Sequence, residues 1–275
     1  MNNSIDDRMK ENYEIRNRRF LTRRTPVIIR IDGKAFHTYT KNLDKPFDEG
    51  LISDMQLTMK FLCESIQGCK FGYVQSDEIS LLLTDYDTLQ TDAWFDYCQN
   101  KMESISASLA TGKFNQCRLK RSVEELCENF RIEEYLEEVV LANFDARSFN
   151  IPKEEVCNYF VWRQQDASKN SISMLAQSLY SHKELQGKNG SEMQEMCFQK
   201  GINWNDLPTT QKRGSACYKI KTKKDLTEKV SLESLSRNEN AWHEDLKWGI
   251  YTDQWIVDTE TPIFSQNREL IENLI

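Results

Sequence analysis

The sequence predicts an α+β fold built on a ferredoxin-like βαββαβ core with an antiparallel sheet, to which extra helices and a C-terminal extension are added. Two observations lead to this fold. The predicted elements follow one another as strand, helix, strand, strand, helix and strand. The second and third strands are also separated by so short a turn that they form a hairpin. In this topology the first strand lies beside the third.

Composition indicates a globular protein. The chain has 275 residues, 29% of them charged and 39% hydrophobic, and is long enough to bury a sizeable core. It contains no apolar run of about 20 residues, the length that a membrane span needs, and its first residues lack the layout of a secretory signal. Eight cysteines are scattered singly, with no Cys-x-x-Cys pair. We therefore expect free thiols, a cytoplasmic location and no membrane partner.

The elements of the first half follow from the spacing of apolar residues. Residues 7–24 are predicted to form a helix, and the apolar run 27–31 forms the first strand. Residues 48–66 carry apolar side chains at intervals of three and four, which predicts a helix. Asp48 is its expected N-cap, and Gly68 follows as its stop.

The hairpin and the second half of the core come next. Strands are predicted at 71–74 and 79–83, on either side of the acidic turn 75–78. Helical spacing returns over 94–109, and residues 144–149 alternate as a half-buried strand does. These segments complete the βαββαβ order.

The remaining segments lie outside that core. Residues 154–185 are predicted to be helical, and a further helix follows a Gly/Asn-containing break, with Ser191 as its N-cap. The glutamate-rich stretch 124–138 suggests two short amphipathic helices. We treat residues 121–141 or so as an insertion.

Two acidic sites at strand ends are the main chemical signal. Asp32 follows the first predicted strand, and Asp77 and Glu78 occupy the hairpin turn. Because the first and third strands are neighbours in this topology, these carboxylates are expected to meet. Carboxylates so placed can hold two divalent cations about 3.5–4 Å apart, which is the arrangement for in-line phosphoryl transfer. The leading interpretation is a nucleotidyl-transfer enzyme.

Charge gives weaker information about partners. The formal net charge of −7 argues against nonspecific coating of nucleic acid, although local patches can still bind phosphates. The densest basic patch consists of Arg16, Arg18, Arg19, Arg23 and Arg24. A second patch consists of Arg118, Lys120 and Arg121. An ordinary solvated face is the competing interpretation of each.

At these residues the chain resembles the tRNA-histidine guanylyltransferase family, and in particular its tRNA-histidine guanylyltransferase-like branch. The resemblance runs almost end to end, apart from the glutamate-rich stretch. Its motifs lie at 8–10, 26–37, 45–48, 75–78, 144–147, 162–167, 201–204, 212–214 and 262–264. Several long motifs in one order are far more specific than a single glycine signature.

The resemblance implies an unusual reaction on a polymerase-palm core. Nucleotides are added to the 5′ end of an RNA, so that the chain grows in the 3′-to-5′ direction. ATP activates a 5′-monophosphate, or a 5′-triphosphate is used directly, and the 3′-hydroxyl of the incoming nucleotide attacks the activated end. The implied partners are tRNA, ATP, and GTP or other nucleoside triphosphates, and the implied assembly is a homotetramer. Residues 1–150 would form the catalytic core, and 151–275 would complete the nucleotide and tRNA site.

The resemblance also assigns roles to residues. Asp32, the carbonyl of Gly33, and Asp77 would hold two Mg²⁺ ions, which prefer oxygen ligands. Glu78 is either a third catalytic carboxylate or a salt-bridge partner. The implied triphosphate cradle consists of Asp32, Gly33, Lys34, Ala35, Phe36, His37, Ser76 and Asp77. Further positive or polar contacts to the nucleotide are expected from Arg30, Lys45, Lys101, Asn170 and Arg213. Independently of the resemblance, the density of the arginine patch 16–24 on an otherwise acidic chain makes it the expected tRNA contact.

One departure from the family pattern bears on the substrate. Ser168 stands where guanylyltransferases that serve histidine tRNA carry the histidine of a histidine-asparagine-asparagine signature. The departure favours the like-protein activity, which is template-dependent repair of 5′-truncated tRNA. Dedicated guanosine addition to histidine tRNA is the alternative.

Two interpretations from other classes also stay open on sequence grounds. A non-catalytic RNA-binding module can share this order of elements, but such sheets stack bases on exposed aromatics that the central strands here largely lack. A nucleotide cyclase-like palm would need the same pair of carboxylates. The arginine-rich patches and the long matching C-terminal third favour a macromolecular substrate over cyclisation.

Overall fold

A computed structural model describes residues 4–125, 139–223 and 251–275. Its centre is a six-stranded antiparallel sheet with the strand order β4-β1-β3-β2-β5-β6. The strands are Val27–Gly33 (β1), Cys69–Gln75 (β2), Glu78–Leu83 (β3), Phe144–Asn150 (β4), Ser215–Lys223 (β5) and Tyr251–Asp258 (β6). The predicted α+β class is confirmed, and β1 lies beside β3 as expected.

Four helices of ten or more residues occur in the described ranges. They are Glu49–Ser65 (α1), Gln99–Glu125 (α2), Lys153–Leu179 (α3) and Gly190–Gln199 (α4). Shorter helical segments are Ile5–Met9, Lys10–Glu14, Ile15–Asn17, Phe36–Tyr39, Thr40–Asn42, Trp94–Tyr97, His182–Leu185, Trp204–Asp206, Thr209–Arg213 and Glu269–Glu272.

The sheet is covered on both faces, and each face has its own apolar core. Successive side chains of a strand point to opposite faces. Ile29 and Ile31 of β1 therefore pack in the cluster that contains Met59 of α1 and Met102 of α2. On the other face, a cluster forms around Ile28, Phe71 and Phe160, the last of which belongs to α3. Burial on both faces explains why β1 and β3 are apolar runs rather than alternating ones.

Local signals place helix α1 where the sequence predicts it. The Asp48 carboxylate accepts a hydrogen bond from the Leu51 N–H at 2.6 Å, which caps the helix. Gly68 follows the helix with φ +79°, and a side chain there would lie 2.6 Å from the carbonyl oxygen of Thr84. The predicted cap and stop are both confirmed.

Three helix predictions differ from the structure. Helical turns at the N-terminus end at Asn17, because the chain then makes sheet-like contacts in which Leu21 N–H donates to Tyr97 O at 3.0 Å. The predicted 94–109 helix begins only at Gln99, after residues with positive φ, and continues to Glu125. The N-cap of α4 is Asn189 rather than Ser191, since its side chain accepts from Glu192 N–H.

Most of the glutamate-rich stretch, residues 126–138, lies outside the described residues. Strands β5 and β6 belong to the C-terminal part of the chain and extend the sheet that the first 150 residues build. The predicted division into a catalytic core (1–150) and a completing region (151–275) stays a prediction. The seven cysteines in the described ranges are free. Among the helices of those ranges, none combines the length and apolar character that a membrane crossing requires.

Candidate active site

The sheet register brings the predicted acids to one end of the central strands. Asp32 of β1 pairs with Glu78 of β3 on one side and with Asp145 of β4 on the other. The next residue, Gly33, donates its N–H to the carbonyl oxygen of Asp77 at 3.2 Å. Residues far apart in sequence therefore become direct neighbours through ordinary antiparallel pairing.

A tight turn aims Asp77 at this end of the sheet. Gln75 and Glu78 are paired, so Ser76 and Asp77 form a two-residue hairpin loop, with Ser76 at φ +50°. Burial raises the pKa of the Asp77 carboxyl, and the negative charge of Asp32 raises it further. Two carboxylates that repel one another favour a cation between them.

Glu78 is held by two arginines. Arg163 of α3 donates from Nε and a terminal nitrogen to the two carboxylate oxygens, each at 2.7 Å. Arg30 of β1 donates to the same carboxylate from the neighbouring strand. Burial raises the pKa of Glu78, while both guanidinium groups oppose that shift. The carboxylate is thus engaged in a salt-bridge network, which matches one of its two predicted roles.

Arg163 also links this network to the cleft. It contacts Asp166 at 3.0 Å, and Asp166 in turn accepts from Asn170 at 3.5 Å. The acids line an open cleft of about 770 Å³ together with these α3 residues. The lining includes Arg30, Asp32, Ser76, Asp77, Glu78, Arg163, Asp166 and Asn170.

A second cavity of about 710 Å³ adjoins the first and shares Ser76 and Asn170 with it. Its wall contains two predicted nucleotide contacts, Lys45 and Arg213. The Lys45 ammonium donates to the Thr40 carbonyl at 2.9 Å. The structure therefore brings together side chains from four distant segments of the chain.

The loop after β1 combines a core residue with exposed ones. A side chain at Gly33 would lie 2.2 Å from the ring of Phe36, which is buried. That ring packs against Tyr39, Phe114 and Phe144 at centroid distances of 5.0, 5.7 and 5.3 Å. The buried Phe36 ring therefore anchors this loop to the hydrophobic core. The exposed residues of the loop are Lys34, Ala35 and His37.

Lys101 stands apart from the two cavities. It belongs to α2, where its ammonium lies 5.8 Å from the centre of the Phe95 ring. It lines neither the cleft nor the adjoining cavity. Its nucleotide role stays a prediction that no contact here supports.

The arginine patch is divided into two groups. Arg23 donates to Asp85 and Asp96 at 2.6 and 2.7 Å, and Arg24 donates to two loop carbonyls. These two side chains hold the loop that follows β3. The other members, Arg16, Arg18 and Arg19, are exposed, as is Arg24. The patch comes before Val27, which begins β1 at the end opposite Asp32. Five residues of a β-strand span about 17 Å, so Val27 and Asp32 are about that far apart.

Two side chains near the site lie outside our sequence-based set. Arg163 and Arg147 belong to quoted motifs, at 162–167 and 144–147, yet neither received a role. Arg147 lies 3.7 Å from an Asp32 carboxylate oxygen. Ser168, by contrast, lines neither cavity, and its hydroxyl donates to the Gln164 carbonyl one turn earlier at 3.2 Å. Motif membership was the available signal for both arginines.

Paired strand-end carboxylates beside a cleft, on a ferredoxin-like antiparallel sheet, are the arrangement expected of a palm-type nucleotidyltransferase. The comparisons agree: residues 6–152 match the family model described as tRNAHis guanylyltransferase. The chain belongs to this family, as its motifs predicted, and its enzyme class is confirmed.

Related proteins extend the match beyond that region. A solved bacterial tRNA(His) guanylyltransferase-like protein in complex with ATP is 43% identical, with 99% of each chain covered and a TM-score of 0.77. The crystal structure of tRNA(His) guanylyltransferase from Saccharomyces cerevisiae is 25% identical, covering 76% of this chain and 90% of that one, with a TM-score of 0.60. A probable tRNA(His) guanylyltransferase from Dictyostelium discoideum is 27% identical over 210 residues, which are 70% of this chain and 75% of that protein.

The contact between Gly33 and Phe36 can be tested by adding one methyl group. Gly33→Ala places a Cβ against a ring that three aromatic neighbours hold in place, so we expect a loss of about 1–3 kcal/mol in the free energy of unfolding. Denaturant unfolding measures it. Gly112→Ala is the control, because its Cβ meets nothing within 4 Å and alanine favours a helix. Equal stability of Gly33→Ala and wild type would contradict this packing.

The Glu78–Arg163 pair predicts a stability effect. In Arg163→Met the buried Glu78 carboxylate loses its bidentate partner and keeps only Arg30, so we expect the free energy of unfolding to fall by about 3 kcal/mol, the low end for a broken buried pair. Arg268→Met removes an exposed pair with Glu272 on one helical turn and should change stability little. Similar effects of the two variants in denaturant unfolding would show that the buried pair is not a major support.

Proposed function

We propose that this nucleotidyltransferase repairs 5′-truncated tRNA by template-dependent nucleotide addition in the 3′-to-5′ direction. The observation that carries the proposal is the meeting of Asp32 and Asp77 at the mouth of a cleft. Similarity over 99% of the chain to a like protein solved with ATP, and to one solved with GTP at 42% identity, supports the nucleotide chemistry. The incoming 3′-hydroxyl forms the new bond to the activated 5′ phosphorus, and the bond to the adenylate or pyrophosphate leaving group breaks.

The donor set at this end of the sheet fits Mg²⁺. Metal dependence is general in this family. Asp32, the carbonyl of Gly33, and Asp77 offer hard oxygen ligands, and Mg²⁺ commonly takes one or two carboxylates together with phosphate oxygens and water. No group of three or more His, Cys, Asp or Glu side chains suited to a metal occurs in the described ranges. Substrate phosphates are therefore expected to complete the coordination. Two bound ions would neutralise charge on the attacking and leaving oxygens.

The remaining site residues position the nucleotides. Ser76 and Asn170 stand between the two cavities, so they can contact a triphosphate that extends from one cavity into the other. Lys45 and Arg213 supply positive charge on the wall of the second cavity, where phosphates of an activating nucleotide would be stabilised. Gly33 has no side chain on the cleft side of this loop, so the backbone that follows Asp32 can approach a triphosphate closely.

The choice of RNA substrate follows from the like-protein similarity and from Ser168. Dedicated guanosine addition to histidine tRNA is the second proposal, because the relatives in Dictyostelium discoideum and Saccharomyces cerevisiae carry that name. A homotetramer, a cytoplasmic location and tRNA contact by the arginine patch also stay predictions.

Removal of either acid should abolish addition. Asp32→Ala or Asp77→Ala removes a ligand for Mg²⁺, so we expect at least a hundredfold lower rate of nucleotide addition with unfolding behaviour close to wild type. The assay is extension of 5′-shortened tRNA with labelled triphosphate, with and without Mg²⁺. Asp253→Ala, an exposed carboxylate on β6, is the matched control and should retain activity. Activity within a few-fold of wild type in either acid variant would rule out the proposed site.

Template dependence has its own test. A tRNA that lacks its first 5′ nucleotide should gain only the Watson–Crick match to the opposite nucleotide, and changing that nucleotide should change the one added. Sequencing the extended products with all four triphosphates present measures this. Full-length histidine tRNA serves as the comparison substrate. Guanosine addition regardless of the opposite base would favour the dedicated guanylyltransferase instead.

A further inference from the structure

Trp162 is a large aromatic side chain left exposed close to the active site. It lies on α3 and is 51% exposed. Arg163, the buried partner of Glu78, places its guanidinium carbon 4.5 Å from the centre of the indole ring. Tyr159, one turn earlier, contacts the indole edge-on with the ring centroids 5.8 Å apart. The indole is thus supported from the protein side and open on the other.

A series of contacts places Trp162 over the edge strand β4. The Tyr159 ring also packs on Phe149 of β4, at 5.9 Å between centroids. Phe149 and Arg147 are two residues apart in β4 and therefore point to the same face of the sheet. Arg147 reaches to 3.7 Å from the Asp32 carboxylate. Trp162, through Tyr159 and Phe149, therefore lies on the same face of the sheet as Arg147 and Asp32.

This surface has the composition of a single-stranded nucleic acid site. Arg147 is an exposed cation, with 54% of its side-chain surface accessible. Its register partner on β1, Arg30, is a second cation on the same face. β4 is the edge strand of the sheet in the described ranges, and Gln99 and Glu103 of α2 occupy its outer backbone edge at Ser148, so Arg147 is open on the α3 face. A flat aromatic ring beside cations matches a base joined to a phosphate.

The two cavities do not account for Trp162. Its side chain lines neither the cleft of the acids nor the cavity with Lys45 and Arg213. A free nucleotide bound in either cavity would therefore not contact Trp162. A part of the substrate that approaches the acids from the β4 side would lie against the Trp162 indole instead.

We propose that Trp162 stacks an unpaired base of the 3′ strand that overhangs a truncated 5′ end, while Arg147 contacts a phosphate next to it. The inference rests on the proposed function and names the part of the RNA that the site recognises. A 5′-truncated acceptor helix has such an overhang, and sequence-specific proteins commonly bind unstacked RNA bases on aromatic rings. Stacking here holds the end of the helix with its 5′ phosphate towards Asp32 and Asp77.

The test uses RNA binding without nucleotides, so that it is independent of catalysis. Fluorescence anisotropy with a 5′-shortened acceptor-stem minihelix should show roughly tenfold weaker binding for Trp162→Leu and nearly wild-type binding for Trp162→Phe. Phe198→Ala is the control, since Phe198 is 62% exposed and lies on α4. That helix packs near Ala176 of α3, about 21 Å along the helix from Trp162. Its binding should be unchanged.

A change in the RNA separates stacking from a merely structural role. Wild type should bind RNA with abasic residues in the overhang roughly tenfold more weakly than it binds intact RNA. On the abasic RNA, Trp162→Leu and wild type should bind with equal affinity. Arg147→Gln should lower the slope of log affinity against log salt by about one. Thermal unfolding checks that each variant is folded. If Trp162→Leu fails to fold, Trp162→Phe and wild type are compared on intact and abasic RNA. Stacking then requires that both proteins bind the abasic RNA more weakly.

Three results would overturn the inference. The first is that folded Trp162→Leu binds the intact overhang as tightly as wild type does. The second is that Trp162→Leu loses the same factor in affinity on intact and on abasic RNA. The third is that wild type binds intact and abasic RNA equally well. A raised KM for ATP in Trp162→Leu with unchanged RNA affinity would likewise assign the ring to a free nucleotide. Failure of wild type to extend truncated tRNA would instead count against the proposed function, because the binding measurements do not depend on extension.

Discussion

The buried ion pair between Glu78 and Arg163 is the interaction on which the site depends most. Glu78 begins β3 directly after the turn that carries Asp77, and Arg163 projects from the middle of α3. The pair therefore fixes the height and rotation of that helix relative to the ends of the central strands. Without Arg163 the buried Glu78 carboxylate would keep Arg30 as its only cationic partner, so separation of α3 from β3 is costly.

Several features of the site follow from this attachment. Asp166 and Asn170, the next turns of α3, enter the cleft because Arg163 anchors the helix above it. Trp162, the neighbour of Arg163, is turned outwards over β4 for the same reason. One salt bridge thus sets both the inner wall that faces nucleotides and the outer surface that we assign to the RNA overhang.

Charge is distributed unevenly in this region. The acids gather at the ends of β1 and in the β2–β3 turn, where burial and mutual repulsion disfavour their charged forms. Arginines surround them: Arg30 and Arg163 bind Glu78, and Arg147 approaches Asp32. Arg163 is buried and neutralises Glu78, whereas Arg147 leaves an exposed positive charge beside the acids. The net charge of −7 gives no hint of this local arrangement.

The sequence by itself determined the order of the elements, the cap and stop of α1, and the meeting of β1 with β3, because apolar period and turn residues are local signals. It also identified the family, since long motifs keep their order along the chain. Only the tertiary structure decided that Phe36 is a core side chain, that Arg23 and Arg24 brace a loop, and that Arg163 and Trp162 flank the site. Each of those outcomes depends on which distant residue a side chain meets, and a pattern of neighbours along the chain carries no record of such contacts.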